Sequence, residues 1–508
     1  MGSQADHVER RVRFSGRDGL QRPRPLKRTL QVLVLAALAL GMSGCVLAPK
    51  GTDAERARAK EAGGIYAGAF DKRELPELPA EAGWREVLQR AFLANGDLEA
   101  SYFEWQAALA RIDMAAAWPN SNLQIGFEYM FSKERMKAWN RTTISAGFDP
   151  AMNLSLPVKT RQAGKVAFET ARAAGYRFGG AKFELQRKVL VAYLDLALME
   201  EKIRIGRDNV ALLKLLTETA SNRLQAGGPQ QDLLKAQIEY RLAENELATM
   251  EADAQSMRAM LNGMLARRAD APLTLPSALP APRPLAADDA ALIAVATDQN
   301  PELSALARDV AGRKNALELA RMAYLPDVNP VAGFTGDVSK FLGAMVMVPT
   351  TIPMIRGQIN EARAMLRSAE AMARQTRSDR AASFVAALIA MRNAERQVAL
   401  FRERILPAAQ QVLNSSRQAY TAGSVGFADL IDSQRTLLEV RQMIAESRIE
   451  RERRLAELEA LAGVDIETLA GPTTRPATRA STEPVLTAPT GQNGRATTTS
   501  PTADKEVR

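Results

Sequence analysis

The side chains able to make or break bonds, or to hold a soft metal, are scarce in this chain. Of its 508 residues one is a cysteine, Cys45, and one a histidine, His7. Thiolate nucleophiles, imidazole bases and Cys/His metal sites are confined to those two positions. Carboxylates are plentiful but form no catalytic motif. Three of them stand close behind a turn: Asp232, five residues beyond Gly227 in "LQAGGPQQDLL", and Asp429 and Asp432, six and nine beyond Gly423 in "YTAGSVGFADLID". An acid at that distance from a turn glycine reads as a first-turn helix residue, capping free N–H groups and complementing the helix dipole.

The formal charge of +9 divides unevenly. Residues 1–44 hold eight Lys/Arg and three Asp/Glu, which leaves +4 for the rest. The remaining charges alternate along helix-like stretches. Without a basic stripe to neutralise phosphates, nucleic acid is not an expected partner. Lys27 and Arg28 precede the apolar run of "TLQVLVLAALALGMSGC", too short to span a bilayer and of the right length for a secretory signal. The run ends at Cys45 after Met42-Ser43-Gly44, which resembles a bacterial lipobox with Met42 in place of leucine. The resemblance implies that Cys45 is diacylated and becomes the mature N-terminus. Residues 1–44 are then a signal peptide with an N-terminal extension, and His7 leaves with it. Val46, where an aspartate would favour inner-membrane retention, points to the outer membrane.

The turn acids are positioned by a unit written twice. "NGDL" at Asn95 returns as "NPEL" at Asn300, the segment around Pro119 returns around Pro326, and the Ala-Gly turn at Gly227 returns at Gly423. The expected division is a lipid-anchored N-terminal segment (45–87), a first repeat (88–266), a Pro-rich connector (267–291), a second repeat (292–463) and a disordered Thr/Pro/Ser-rich tail (464–508). Period-2 alternation predicts strands at about 122–131 and 143–156 in the first repeat, and two shorter ones at about 327–335 and 341–348 in the second. The last of these is almost continuously apolar. The period then becomes helical: Leu185, Val189, Ala192, Leu196, Met199, Ile203, Val210 and Leu213 form one a/d seam. Phe384, Met391, Val398, Ile405, Val412 and Ala419, flanked by Ala387, Ala394, Phe401 and Ala408, form another. Some 65 helical residues make a rod about 100 Å long, which must project from any globular body. Pro407 is expected to bend the second rod. The fold class is mainly α, with long coiled-coil hairpins and a small β part. No cofactor or metal is implied.

The repeats resemble the TolC-type outer-membrane factors of bacterial efflux and secretion systems, in the lipoprotein branch. The resemblance is carried by "NPELSALARDVAGRKNALELARMAYLPDV", "ILPAAQQVLNSSRQAYTAGSVGFADLIDSQRTLL" and their weaker first-repeat versions. It implies a homotrimer in which each protomer gives four strands to a twelve-stranded outer-membrane β-barrel and its helices to a periplasmic duct. No bond chemistry is implied: solute leaves passively from a periplasmic adaptor and, indirectly, an inner-membrane pump. The Ala-Gly turns match the hairpin tips (about 226–229 and 422–426), so Gly227, Gly228, Gly423, Ser424 and Val425 are expected to meet the adaptor. Tyr420, Asp429 and Asp432 match a constricting tyrosine and two aspartate rings at the periplasmic gate. A basic residue usual just after the second turn is absent, with Val425 in its place. Two other readings of the same residues are a non-conducting envelope lipoprotein of this fold and a lipid-anchored periplasmic coiled-coil adaptor.

Overall fold

The computed structural model describes residues 45–131, 136–148, 154–285 and 288–466. The expected signal segment, and the expected tail beyond residue 466, lie outside them. In chain order the elements are β1 (Cys45–Val46), α1 (Thr52–Ala62), α2 (Trp84–Ala94), α3 (Gly96–Ala116), β2 (Ala117–Trp118), β3 (Leu123–Tyr129), β4 (Thr142–Phe148), α4 (Pro157–Gln225) and α5 (Gln230–Met264). The second half repeats the plan with α6 (Asp289–Gln299), α7 (Pro301–Arg321), β5 (Asp327–Thr335), β6 (Ser339–Met347), α8 (Ile352–Leu400), α9 (Leu406–Thr421) and α10 (Phe427–Ala462). The duplicated Asn positions are helix caps. Asn95 accepts from Leu98 N at 3.1 Å to start α3, and Asn300 accepts from Leu303 N at 2.9 Å to start α7.

The strands form one antiparallel sheet in the order β3-β4-β5-β6, so β3 and β6 are free edges. One face carries Leu123, Ile125 and Phe127 of β3, with Ile144 of β4 paired to Phe334 of β5 and Ala332 paired to Leu342 of β6. The other carries Gln124, Gly126, Glu128, Thr143, Ser145 and Thr335, with the Thr143 and Thr335 hydroxyls 3.0 Å apart. The strands of the second hairpin lie close to the expected 327–335 and 341–348, with nine residues each; among the described residues β3 and β4 have seven each. The near-continuous apolarity of β6 has a steric reason. Phe341, on the polar face, lies over Gly333, where a Cβ would come within 2.5 Å of its ring. Aromatic cover of a strand glycine puts an apolar side chain on both faces of β6. Among the described residues no helix is long and apolar enough to cross a membrane.

Below the sheet, α3, α4, α7 and α8 lie side by side. Lys159 at the top of α4 ties the wall to the sheet through Asp327, at 2.8 Å. The α4 seam is buried as its heptad requires: Val189 and Leu196 are fully enclosed and Leu185 and Ile203 nearly so. Farther down, α4–α5 and α9–α10 form two hairpins that share a second core of Leu213, Leu216, Ala236, Leu413, Tyr420, Phe427 and Leu430.

The second seam departs from its heptad. Phe384 and Met391 are buried, but Val412 is exposed and Leu413 and Tyr420 are buried in its stead. Between them Phe401–Ile405 forms one π-helical turn. A π-turn accommodates one extra residue, so every seam position below it moves along by one. Pro407, which has no N–H for an i−4 bond and whose ring would clash with the Glu403 carbonyl in a continuous α-helix, sits just beyond the turn.

Candidate periplasmic gate and hairpin tips

Both tips close in the same way. Gly227 has φ +93° and Gly423 φ +79°, a region open to glycine without a side-chain penalty. In the first tip Gly228 N donates to Arg223 O at 2.8 Å; in the second Ser424 N donates to Ala419 O at 2.9 Å. Each bond spans five residues and satisfies a carbonyl left free at a helix end, the Schellman arrangement. The Ser424 hydroxyl donates to Ala419 O as well, at 2.9 Å. At Gly228 a Cβ would meet Arg223 O at 2.9 Å, so that position is also restricted. Gly227, Gly423 and Ser424 are exposed, Gly228 is half-buried, and Val425 packs partly against the shared core.

Tyr420 lies between the two hairpins. It is 1% exposed and packs edge-on to Phe427, with ring centroids 5.7 Å apart. This follows from the π-turn: an uninterrupted heptad puts Ala419 in the seam, whereas the one-residue shift turns Tyr420 into it. The first hairpin holds it on two sides. Arg223 lies 4.2 Å over the ring and donates to Tyr420 O at 2.9 Å. Tyr420 in turn donates its hydroxyl to Asp232 at 3.4 Å. Burial, reinforced by the Asp232 carboxylate and opposed by Arg223, pushes the Tyr420 phenol above its usual range, so it stays a proton donor at neutral pH.

Asp232, expected only as a cap, and Arg223, not singled out in the sequence, both face Tyr420. Asp232 reads as a cap, yet the start of α5 has no side-chain cap, and the carboxylate faces Tyr420. The available signal was the repeat: a basic residue absent behind the second turn can come from the first, and Arg223 lies four residues before Gly227. Asp429 behaves as a cap, its Oδ2 accepting from Gly426 N at 3.3 Å at the start of α10. Asp432, one turn deeper, has no such bond. Both are exposed on one face of α10, three residues apart, while Phe427, Leu430 and Ile431 between and behind them are buried. The hairpins are further joined by Gln434 to Asn209 at 2.9 Å and by an Arg435–Glu239 ion pair. Cys45, exposed at the start of the described chain, pairs with Trp118 at the foot of the sheet. Among the described residues no group of His, Cys, Asp and Glu could hold a metal ion.

The profile of the outer membrane efflux protein family matches residues 87–267. The chain is 22% identical over 387 residues to the cobalt-zinc-cadmium resistance protein CzcC of Cupriavidus metallidurans, covering 72% of this chain and 87% of that one. Its fold is similar to that of the outer membrane protein VceC of Vibrio cholerae, with TM-score 0.64 and 16% identity over 75% of this chain and 96% of that one. It is equally similar to CusC, with TM-score 0.64 and 16% identity over 77% and 98% of the two chains.

Proposed function

We propose that the chain, whose residues 87–267 match the outer membrane efflux protein family, is a member of it and that three copies form the exit duct of a tripartite efflux system. The observation that carries this is the four-stranded sheet with two free edges and an apolar face. In lipid an unpaired edge is prohibitively costly, so β3 of one copy pairs with β6 of the next until the barrel closes. The helical wall continues the duct into the periplasm, and the two tips with Gly227, Gly228, Gly423, Ser424 and Val425 receive the adaptor. Solute passes without reaction, in keeping with the efflux family that residues 87–267 match. The 22% identity over 387 residues with a cobalt-zinc-cadmium resistance protein makes metal cations one cargo to assay.

The gate reading gives each tip residue a part. Arg223, Asp232 and Tyr420 clasp the second hairpin to the first, and Asp429 and Asp432 of three copies ring the mouth with six carboxylates. Purified protein in planar bilayers should give discrete conductance steps; silent bilayers would count against a duct. Asp429→Ala combined with Asp432→Ala should shift the reversal potential in a salt gradient toward lower cation selectivity. An unchanged potential assigns both acids to helix capping alone. For the anchor, Cys45→Ser should abolish radiolabelled palmitate incorporation, and persistent labelling would remove Cys45 as the acyl acceptor.

A further inference from the structure

We propose that the outer flank of the helical wall, immediately beneath the sheet, binds anionic phospholipid headgroups through Arg161, Lys165 and Arg356, with Arg363 at the lower rim. The proposal rests on the reading of the sheet as membrane-spanning.

On α8, Arg356, Arg363, Arg367, Arg374 and Arg377 recur at intervals of seven, four, seven and three, which places them on one face, and all five are exposed. This is the basic stripe that the charge pattern along the chain does not reveal. Arg356, Arg367, Arg374 and Arg377 make no ion pair among the described residues, and Arg363 touches only Asn360, at 3.3 Å. On α4, Arg161 and Lys165 are exposed and likewise make no ion pair. Two other arginines of the wall are matched, Arg380 by Glu302 and Arg177 by Asp309. On the α8 face Glu370 stands between Arg367 and Arg374, but no acid lies three or four residues from Arg356 or Arg161, so these upper cations look outward for a partner.

Two contacts fix which side of the wall this is. Arg392, ten turns below Arg356 on the same flank, donates to Asp289 of α6 at 2.7 Å. Tyr176, three turns below Lys165, lies 5.0 Å under Arg58 of α1. The basic flank is therefore the padded one, against which α6 and the segment leading from Cys45 are laid. The opposite flank of α8, with exposed Met354, Met365 and Met372, is left to the lumen.

Depth selects the partner. At 1.5 Å per residue, Arg161 and Arg356 lie about 6 Å below the starts of α4 and α8, Lys165 about 12 Å and Arg363 about 16 Å. A headgroup layer occupies roughly 5–8 Å beyond the hydrocarbon, long basic side chains reach back toward it, and attraction fades within a Debye length of about 8–10 Å. The upper cations meet headgroups; Arg367, Arg374 and Arg377 are too deep.

The test reconstitutes the full assembly in nanodiscs of equal phosphatidylcholine and phosphatidylglycerol and measures retained lipid by native mass spectrometry. Wild type should retain phosphatidylglycerol in about two- to fivefold excess. The triple variant Arg161→Gln, Lys165→Gln, Arg356→Gln should fall to near parity, with assembly mass and conductance unchanged. Parity in wild type, or an undiminished excess in the triple variant, overturns the proposal. So does displacement of the lipid by millimolar glycerol phosphate, which would mark a site for free phosphate. Absent wild-type conductance with the lipid excess intact would instead count against the duct.

Discussion

Tyr420 joins three interactions that no single hairpin could make alone: a hydroxyl bond to Asp232, a cation–π contact with Arg223 and a backbone bond from the same guanidinium. A neutral hydrogen bond contributes about 1 kcal/mol and a partly desolvated cation–π pair about 1–2 kcal/mol. Losing the hydroxyl through Tyr420→Phe should therefore raise the open fraction several-fold, and Arg223→Gln should raise it by roughly tenfold, since about 1.4 kcal/mol is a factor of ten. Single-channel open times read both directly; wild-type gating in both variants would remove the clasp. The phenol's raised pKa sets the sign of the alkaline response. The neutral hydroxyl's contribution is complete below the ordinary tyrosine value of 10.0 and is lost only as pH rises through the higher folded value.

Among the elements, the π-turn at Phe401–Ile405 has the longest reach. It decides whether Val412 and Ala419 or Leu413 and Tyr420 face the shared core, and the second pair is the buried one. Pro407→Ala, with no residue deleted, should allow an unbroken α-helix through Phe401–Ile405 and so restore the original heptad. Tyr420 would then leave its contacts with Arg223 and Asp232. Cysteine placed at residue 412 should become protected from a maleimide reagent in that variant while remaining reactive in the parent; equal reactivity would show that the turn does not set the phase. The glycine tips serve the same hairpin by reversing the chain within a few residues, so that the clasp has two ends to hold.

For the whole molecule, both sheet edges are open and the apolar face of β3 is exposed, with Ile125 at 66% and Phe127 at 72%. A lone chain of 55.3 kDa cannot cover these surfaces in lipid. Light scattering of detergent-solubilised protein should give three times the protomer mass, and a stable monomer would contradict the duct.

The architecture was legible because duplication, period and punctuation are local properties. The repeated Asn caps, the alternation through Leu123–Tyr129, the heptads from Leu185 and the two Ala-Gly turns all lie within windows of a few turns. Periodicity assumes an uninterrupted helix, so it carried the second seam past Phe401 out of phase, to Val412 and Ala419 in place of Leu413 and Tyr420. The bounds of β6 differ from the expected 341–348 by two residues at the start, because Ser339 and Lys340 precede the apolar run by which the strand is read. Asp232 and Arg223 acquire their places only when a tip about 190 residues distant in sequence packs beside them. Sequence alone determined the elements and their order, since those depend on neighbours along the chain. Tertiary structure decided the helix phase, the pairing of the tips and the outward row of arginines, because these depend on which residues meet across space.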